Sequence, residues 1–324
     1  MSITHGGPDT LGVPRWDFST NANACGPCPM ALAAVQQADA RHYPEPSYAA
    51  LRESLAAFHA VDAARIVLAG SASEFIHRFT AWVAREGGQR VWLPVLAYGD
   101  CARAAQTWRL EPMHDPARAH LAWVCEPSSP TGEIEPFARR VVASGAQVVL
   151  DRAYEPLRLN GACSLDPVAL QGIWQLWTPN KAMGLTGVRG AYAIAPERAV
   201  AEARALDQMA PSWPLGAHAV AMLDAWVSPV AQDWLARSLV TLRGWKREQL
   251  GLLNELGWRV LPSEANYVCG EPPNPLDAMS LRAAGIKLRD TTSFGLPGHW
   301  RLGVLPPEAQ AALRTALHRT EVCR

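Results

Sequence analysis

From about residue 46 onward, apolar positions follow two alternating patterns. Leu51, Leu55 and Phe58 recur at helical spacing, and residues 65–69 then form a short apolar run that ends at Gly70. Similar runs without alternation occupy residues 90–93, 121–125, 147–150 and 173–177, separated by helix-length stretches such as 74–85. A strand that is apolar at every position is covered on both faces, so this order predicts an α/β fold with a mostly parallel sheet between helices. Residues 214–256 show long helical periodicity, and 266–269, 286–289 and 300–304 then look like strands with helices between and after them. They predict a smaller α+β domain. Residues 1–45 are rich in Gly, Pro, Asn and Cys and lack sustained periodicity, which reads as an extended arm with turns, ordered by packing on something else. The expected organisation is an arm over 1–45, a large domain over 46–210 and a small domain over 211–324.

Ligands of such sheets bind outside the carboxyl ends of the strands. The residues found there are Gly70 to Ser73, Ser128 and Ser129, Asp151 and Lys181. Gly70-Ser71-Ala72-Ser73-Glu74 follows a strand and opens a helix, so its N–H groups can receive a phosphate; a Ser there also caps helices that bind nothing. Asp151 ends an apolar run, where a carboxylate is costly unless it meets a cation such as a protonated ring nitrogen, or serves as a cap or turn residue. Lys181 and Arg189 stand eight residues apart across a Gly-rich turn. A guanidinium there can grip phosphate through two parallel hydrogen bonds.

Thirty basic residues balance thirty acidic ones in a chain of 324, so no overall field recruits nucleic acid or an anionic membrane, and a small-molecule partner is expected. With 49% hydrophobic residues the chain can bury a large core, yet no window approaches the ~18 unbroken apolar residues of a membrane span. No basic segment followed by an apolar one opens the chain, so a cytoplasmic protein is expected. The seven cysteines are scattered and odd in number, which argues against a disulfide framework. Cys25 and Cys28 form a C-x-x-C without a second Cys/His pair, so no metal is expected. The 13 tryptophans lie mostly within apolar runs and read as core.

The stretch Trp177-Thr178-Pro179-Asn180-Lys181-Ala182-Met183-Gly184-Leu185-Thr186-Gly187-Val188-Arg189-Gly190-Ala191-Tyr192 resembles the S/T-x-S/T-K-x-x-G-L-x-G-L-R-x-G-Y segment of pyridoxal 5′-phosphate (PLP) dependent aminotransferases of the histidinol-phosphate group. Tyr43-Pro44-Glu45-Pro46, Gly70 to Glu74, Tyr98-Gly99, Pro127 to Gly132, Asp151-Arg152-Ala153-Tyr154, Arg289 and Arg301 follow that family's order, so the resemblance spans nearly the whole chain. It implies the fold type I architecture of PLP-dependent transferases, with a seven-stranded sheet in the large domain. By the same resemblance Lys181 holds PLP covalently, Asp151 pairs with its ring nitrogen, Tyr154 faces its phenolic oxygen and Tyr98 stacks on the ring. Ala72, Ser73, Asn180 and Arg189 are expected at the phosphate, with Tyr43 reaching it from the second subunit of a homodimer. Arg301 is matched to the substrate carboxylate and Arg289 to a distal substrate phosphate. Ser129 replaces the family's Asn, Asn180 its Ser or Thr, and Arg152 its acidic residue.

His5-Gly6-Gly7 and Asp17-Phe18-Ser19-Thr20-Asn21-Ala22-Asn23 resemble the arm of threonine-phosphate decarboxylases of cobalamin biosynthesis, which share this scaffold. That resemblance adds His5 and Asn23 as substrate-binding candidates. It implies decarboxylation of O-phospho-L-threonine to (R)-1-amino-2-propanol phosphate, with a histidinol-phosphate type aminotransferase as the alternative and a non-catalytic PLP-binding module as a remote one.

Overall fold

The computed structural model describes residues 6–322, and side chains as far as residue 318. Candidate His5 and Cys323 therefore lie outside the described residues. A seven-stranded sheet forms the centre, ordered Ile66–Ala69, Ala191–Ile194, Trp174–Trp177, Gln147–Asp151, Leu121–Cys125, Arg90–Trp92 and Glu111–Met113. All neighbours are parallel except Ala191–Ile194, which runs against the strands on both its sides. The expected α/β fold with a mostly parallel sheet is the one observed.

Successive residues of each strand serve opposite faces. Val67, Val149 and Ala193 pack beneath the helices Ala72–Arg85, Gly99–Thr107 and Val200–Met209. Val148 and Leu150 face the helix Ala138–Val142, while Ile66, Leu68 and Tyr192 meet the helices Ala49–His59 and Ala217–Trp226. Burial on both faces is why these strands show no alternation.

The second sheet is antiparallel, ordered Arg289–Asp290, Trp300–Gly303, Tyr267–Glu271 and Arg259–Val260. It packs with the long helix Pro229–Glu255 and the final helix Pro307–Val322 around Val268, Leu302, Leu253 and Leu313. The single periodic stretch 214–256 is two helices, Ala217–Trp226 and Pro229–Glu255, because Ser228 caps a new start at Pro229.

The N-terminal segment departs from the expected extended arm. Pro29–Gln37 is a helix with Pro at its first position, packed against Ala217–Trp226. Its pattern is masked by Gly26 and Pro27 just before it and by its shortness, nine residues. Upstream, Trp16–Asp17 pairs in parallel with Ile286–Lys287, and Asp9 binds Arg282 and Lys287. The segment is thereby tied to the helix Ala278–Ala283 and the strand that follows it. No helix among the described residues is long and apolar enough to cross a membrane.

Candidate active site

Four strands of the large sheet end at one cavity of about 720 Å³. After Ile66–Ala69 the chain turns into the helix Ala72–Arg85, which Ser71 caps by accepting from Glu74 N at 3.1 Å. Glu74 in turn accepts from Gly70 N and pairs with Arg78 at 2.9 Å. The cap is thus complete, while the N–H groups of Ala72 and Ser73 belong to the first turn, which lacks intrahelical partners. Both residues line the cavity, with Tyr98, whose hydroxyl lies 3.5 Å from Ser73 Oγ.

Asp151 ends the strand Gln147–Asp151 on the cavity floor, 9% exposed. Among the described residues, the one hydrogen bond to its carboxylate comes from Ala153 N at 2.9 Å. Burial raises its proton affinity, against the opposing pull of that N–H and of Lys181. A buried carboxylate with no cation in hydrogen-bond contact lacks the partner that its cost demands.

Lys181 lies in the loop after Trp174–Trp177, its ammonium 5.2 Å from the centre of the Tyr154 ring. Inside that loop Asn180 Nδ2 donates to the carbonyls of Thr186 and Val188 at 3.4 and 3.3 Å. Both amide protons of Asn180 therefore close the turn; its Oδ1 and the Thr178 hydroxyl are buried without partners. Gly184 has φ +67°, and a Cβ there would come within 2.7 Å of the Gly26 carbonyl, so the loop can press on the N-terminal segment only as glycine. Arg189, exposed, stands in the same cavity wall.

The second sheet supplies the opposite wall. Arg289 and Arg301 are direct cross-strand partners, 6% and 7% exposed. Arg289 donates to Asp290 O and Ser293 Oγ, both at 2.8 Å. Arg301 donates to Ser129 Oγ at 2.9 Å and to Ser19 O at 3.3 Å, and its Nε has no partner. Among the described residues neither forms an ion pair with a carboxylate, and both guanidiniums lie near the Phe294 ring. Burial, then the neighbouring Arg301, lowers the proton affinity of Arg289.

The N-terminal segment closes the cavity. Ser19 meets Arg301, Asn21 Nδ2 donates to the Tyr154 hydroxyl at 3.3 Å, and Asn23 N donates to the Lys181 carbonyl at 2.9 Å.

Of the candidates, Ala72, Ser73, Tyr98, Ser129, Asp151, Tyr154, Asn180, Lys181, Arg189, Arg289 and Arg301 share this cavity. Asn23 does not face it. Its Nδ2 donates to Ala182 O and Ser238 Oγ, and its Oδ1 accepts from Cys25 N, so every polar atom serves the frame. Tyr43 is 77% exposed and stacks on Trp213 at 4.4 Å, outside the cavity wall. Cys25 and Cys28 are free thiols. Lining residues that the sequence does not mark include Ser19, Asn21, Asp100, Arg103, Ser293 and Phe294; Ser19 and Asn21 lie within the Asp17-to-Asn23 motif, which offers Asn23 as its candidate.

A mostly parallel sheet whose strand ends present a carboxylate, a loop lysine and an open helix N-terminus has the architecture of a fold type I PLP enzyme. The chain belongs to the aminotransferase class I and II family, whose model matches residues 115–319. Histidinol-phosphate aminotransferase 1 of Thiobacillus denitrificans is 29% identical, over 91% of this chain and 83% of the relative. Histidinol-phosphate aminotransferase of Sinorhizobium meliloti, solved in complex with PLP, superposes with a TM-score of 0.73 at 22% identity, covering 92% of this chain and 88% of that one. L-threonine-O-3-phosphate decarboxylase of Porphyromonas gingivalis superposes with a TM-score of 0.78 at 20% identity, covering 94% and 98%. The cofactor of this family is pyridoxal 5′-phosphate.

Proposed function

We propose that this chain is a PLP-dependent aminotransferase of the histidinol-phosphate type, moving an amino group between a small phosphorylated amine and a dicarboxylic 2-oxo acid. The observation that carries this reading is the facing pair Arg289 and Arg301, buried, cross-strand and without a carboxylate among the described residues. Like charges directly opposite one another on a sheet destabilise it. The arrangement suits guests that bring their own anions. Amino-group transfer presents such guests in turn: the phosphate of the amine, then the two carboxylates of 2-oxoglutarate. The curated relatives point the same way.

The residues present fit PLP. Its phosphate would take the first-turn N–H groups of Ala72 and Ser73 with Arg189, and its ring nitrogen would give Asp151 the cation it lacks. Tyr98 would cover the ring, and Lys181 would hold the cofactor covalently. When bound, PLP supplies an electron sink for negative charge at the substrate Cα. Asp151 would keep the proton on the ring nitrogen. Tyr154 and Ser129 would offer hydroxyls to the phenolic oxygen, and Lys181 Nζ would move the proton at the substrate Cα. Asn180 acts by bracing the lysine loop. Tyr43, held outside the cavity by Trp213, is available to the phosphate of a second copy, as in a homodimer.

One observation favours a second reading, decarboxylation of O-phospho-L-threonine in cobalamin biosynthesis. Gly6, Ser19, Thr20 and Asn21, from the segment resembling the decarboxylase arm, all line the cavity. The experiment supplies the purified protein and PLP with L-histidinol phosphate and 2-oxoglutarate, and separately with O-phospho-L-threonine. Glutamate from the first mixture supports transamination. CO₂ and aminopropanol phosphate from the second, without glutamate from the first, replace it with decarboxylation. Borohydride reduction and peptide mass spectrometry should place the pyridoxyl group on Lys181.

A further inference from the structure

Asn21 has no role in the reading above, yet it is 2% exposed and forms part of the cavity wall. Its Nδ2 donates to the Tyr154 hydroxyl oxygen at 3.3 Å. Its Oδ1 is buried without a partner and lies toward Gly303, where an ideal Cβ would be 3.7 Å from it. The backbone is held in place: Asn266 Nδ2 donates to the carbonyls of Asn21 and Ala22 at 3.2 and 3.1 Å, and Gly303 N to that of Phe18 at 2.7 Å. Tyr154 is itself fixed, edge-on to Tyr267 at 4.8 Å.

A phenol has one proton to donate and lone pairs to accept with. Here a lone pair is taken by an amide carried on a pinned backbone, and no described residue accepts the phenol's own proton. We propose that Asn21 is a positioning residue that makes Tyr154 a one-way hydrogen-bond donor into the cavity, toward an anionic oxygen of the bound cofactor. Were Asn21 absent, the hydroxyl could rotate and accept from water as readily as donate. The inference rests on the placement of PLP proposed above, with its phenolic oxygen at Tyr154.

A donor at that oxygen stabilises its anionic form, and the neighbouring nitrogen linking cofactor to lysine then gives up its proton at lower pH. The absorbance of the holoprotein reads this directly, without turnover. Asn21→Asp keeps the size of the side chain but supplies only acceptors when ionised, drawing the phenol proton toward itself. Asn21→Leu keeps the bulk and removes the donor without adding charge. In the Asp variant the midpoint of the cofactor absorbance titration should rise by about one pH unit, the scale expected for loss of one hydrogen bond to a charged form. In the Leu variant it should rise by less. Melting of the cofactor-free proteins checks that both variants fold, and the Leu variant alone decides if the Asp variant does not. An unmoved or lowered midpoint in a folded variant overturns the assignment. If borohydride labels a lysine other than Lys181, the cofactor placement fails first and the role of Asn21 falls with it.

Discussion

Two sets of buried arginines are treated in opposite ways. Arg158, 8% exposed, meets Glu155 at 2.8 Å, Glu126 at 3.4 Å and Glu264. Burial works against its charge, but the hydrogen bond and fields of these carboxylates prevail and its proton affinity rises. Arg289, 6% exposed, meets only neutral acceptors and faces another arginine, and its proton affinity falls. The first set is satisfied by the chain and holds the frame between the large sheet and residues 264–267. The second has no carboxylate partner among the described residues, which leaves it open to the anion proposed above. Partner inventory, rather than burial, separates frame from site.

This contrast can be broken. The largest effect is expected at Lys181, which has no side-chain hydrogen bond to the frame among the described residues. Lys181→Ala should lower kcat by about 10³-fold or more while leaving the thermal melt of the cofactor-free protein unchanged; a collapsed melt would place the lysine in the frame. Next, Arg158→Met removes the cation beside the fully buried Glu126 and leaves it only the hydrogen bonds from Ser164, so urea unfolding should show a loss of about 3 kcal/mol, with kcat of the folded protein retained. Arg301→Leu and Arg289→Leu should do the reverse. Stability of the cofactor-free protein should stay within about 1 kcal/mol. KM should rise roughly ten- to a hundredfold, the weight of one hydrogen bond to a charged group, in steady-state assays.

The smallest effect sharpens the comparison with a half-buried base that stays neutral. His59 shares a hydrogen bond of 2.7 Å with the Tyr192 hydroxyl, and burial, helped by Arg152, lowers its pKa to about 4. The unfolded chain binds a proton near pH 6.5, so the stability is complete above that value and is lost as pH falls from 6.5 toward 4. Unfolding at pH 7 and pH 5 should differ by about 1–2 kcal/mol on this account, and His59→Gln should flatten the difference.

The central sheet was legible because its strands are buried on both faces and show as unbroken apolar runs. Glu111–Met113 escaped because it is a three-residue edge strand containing Pro112, whose missing N–H suits only an edge. Ala191–Ile194 overlaps the tail of the lysine motif, although its burial on both faces matches that of the others. In the site, residues at strand ends were readable: Asp151, Lys181 and Ser73 stand where chain direction changes. Arg289 and Arg301 came only from resemblance, since a strand arginine looks like any polar position until its cross-strand partner is known. Asn21 and Asn23 show the limit. Two positions apart in one motif, they differ only in which way each amide faces, and only Asn21 reaches the cavity.

Residues 19–23 act as a ruler. Ser19 reaches the arginine wall, Asn21 the tyrosine and Asn23 the lysine loop, at intervals of two residues. Composition within the stretch can drift at Ala22, but its residue count cannot. One inserted residue would shift the spacing among three functional groups at once, so this short piece should tolerate substitution far better than any change of length.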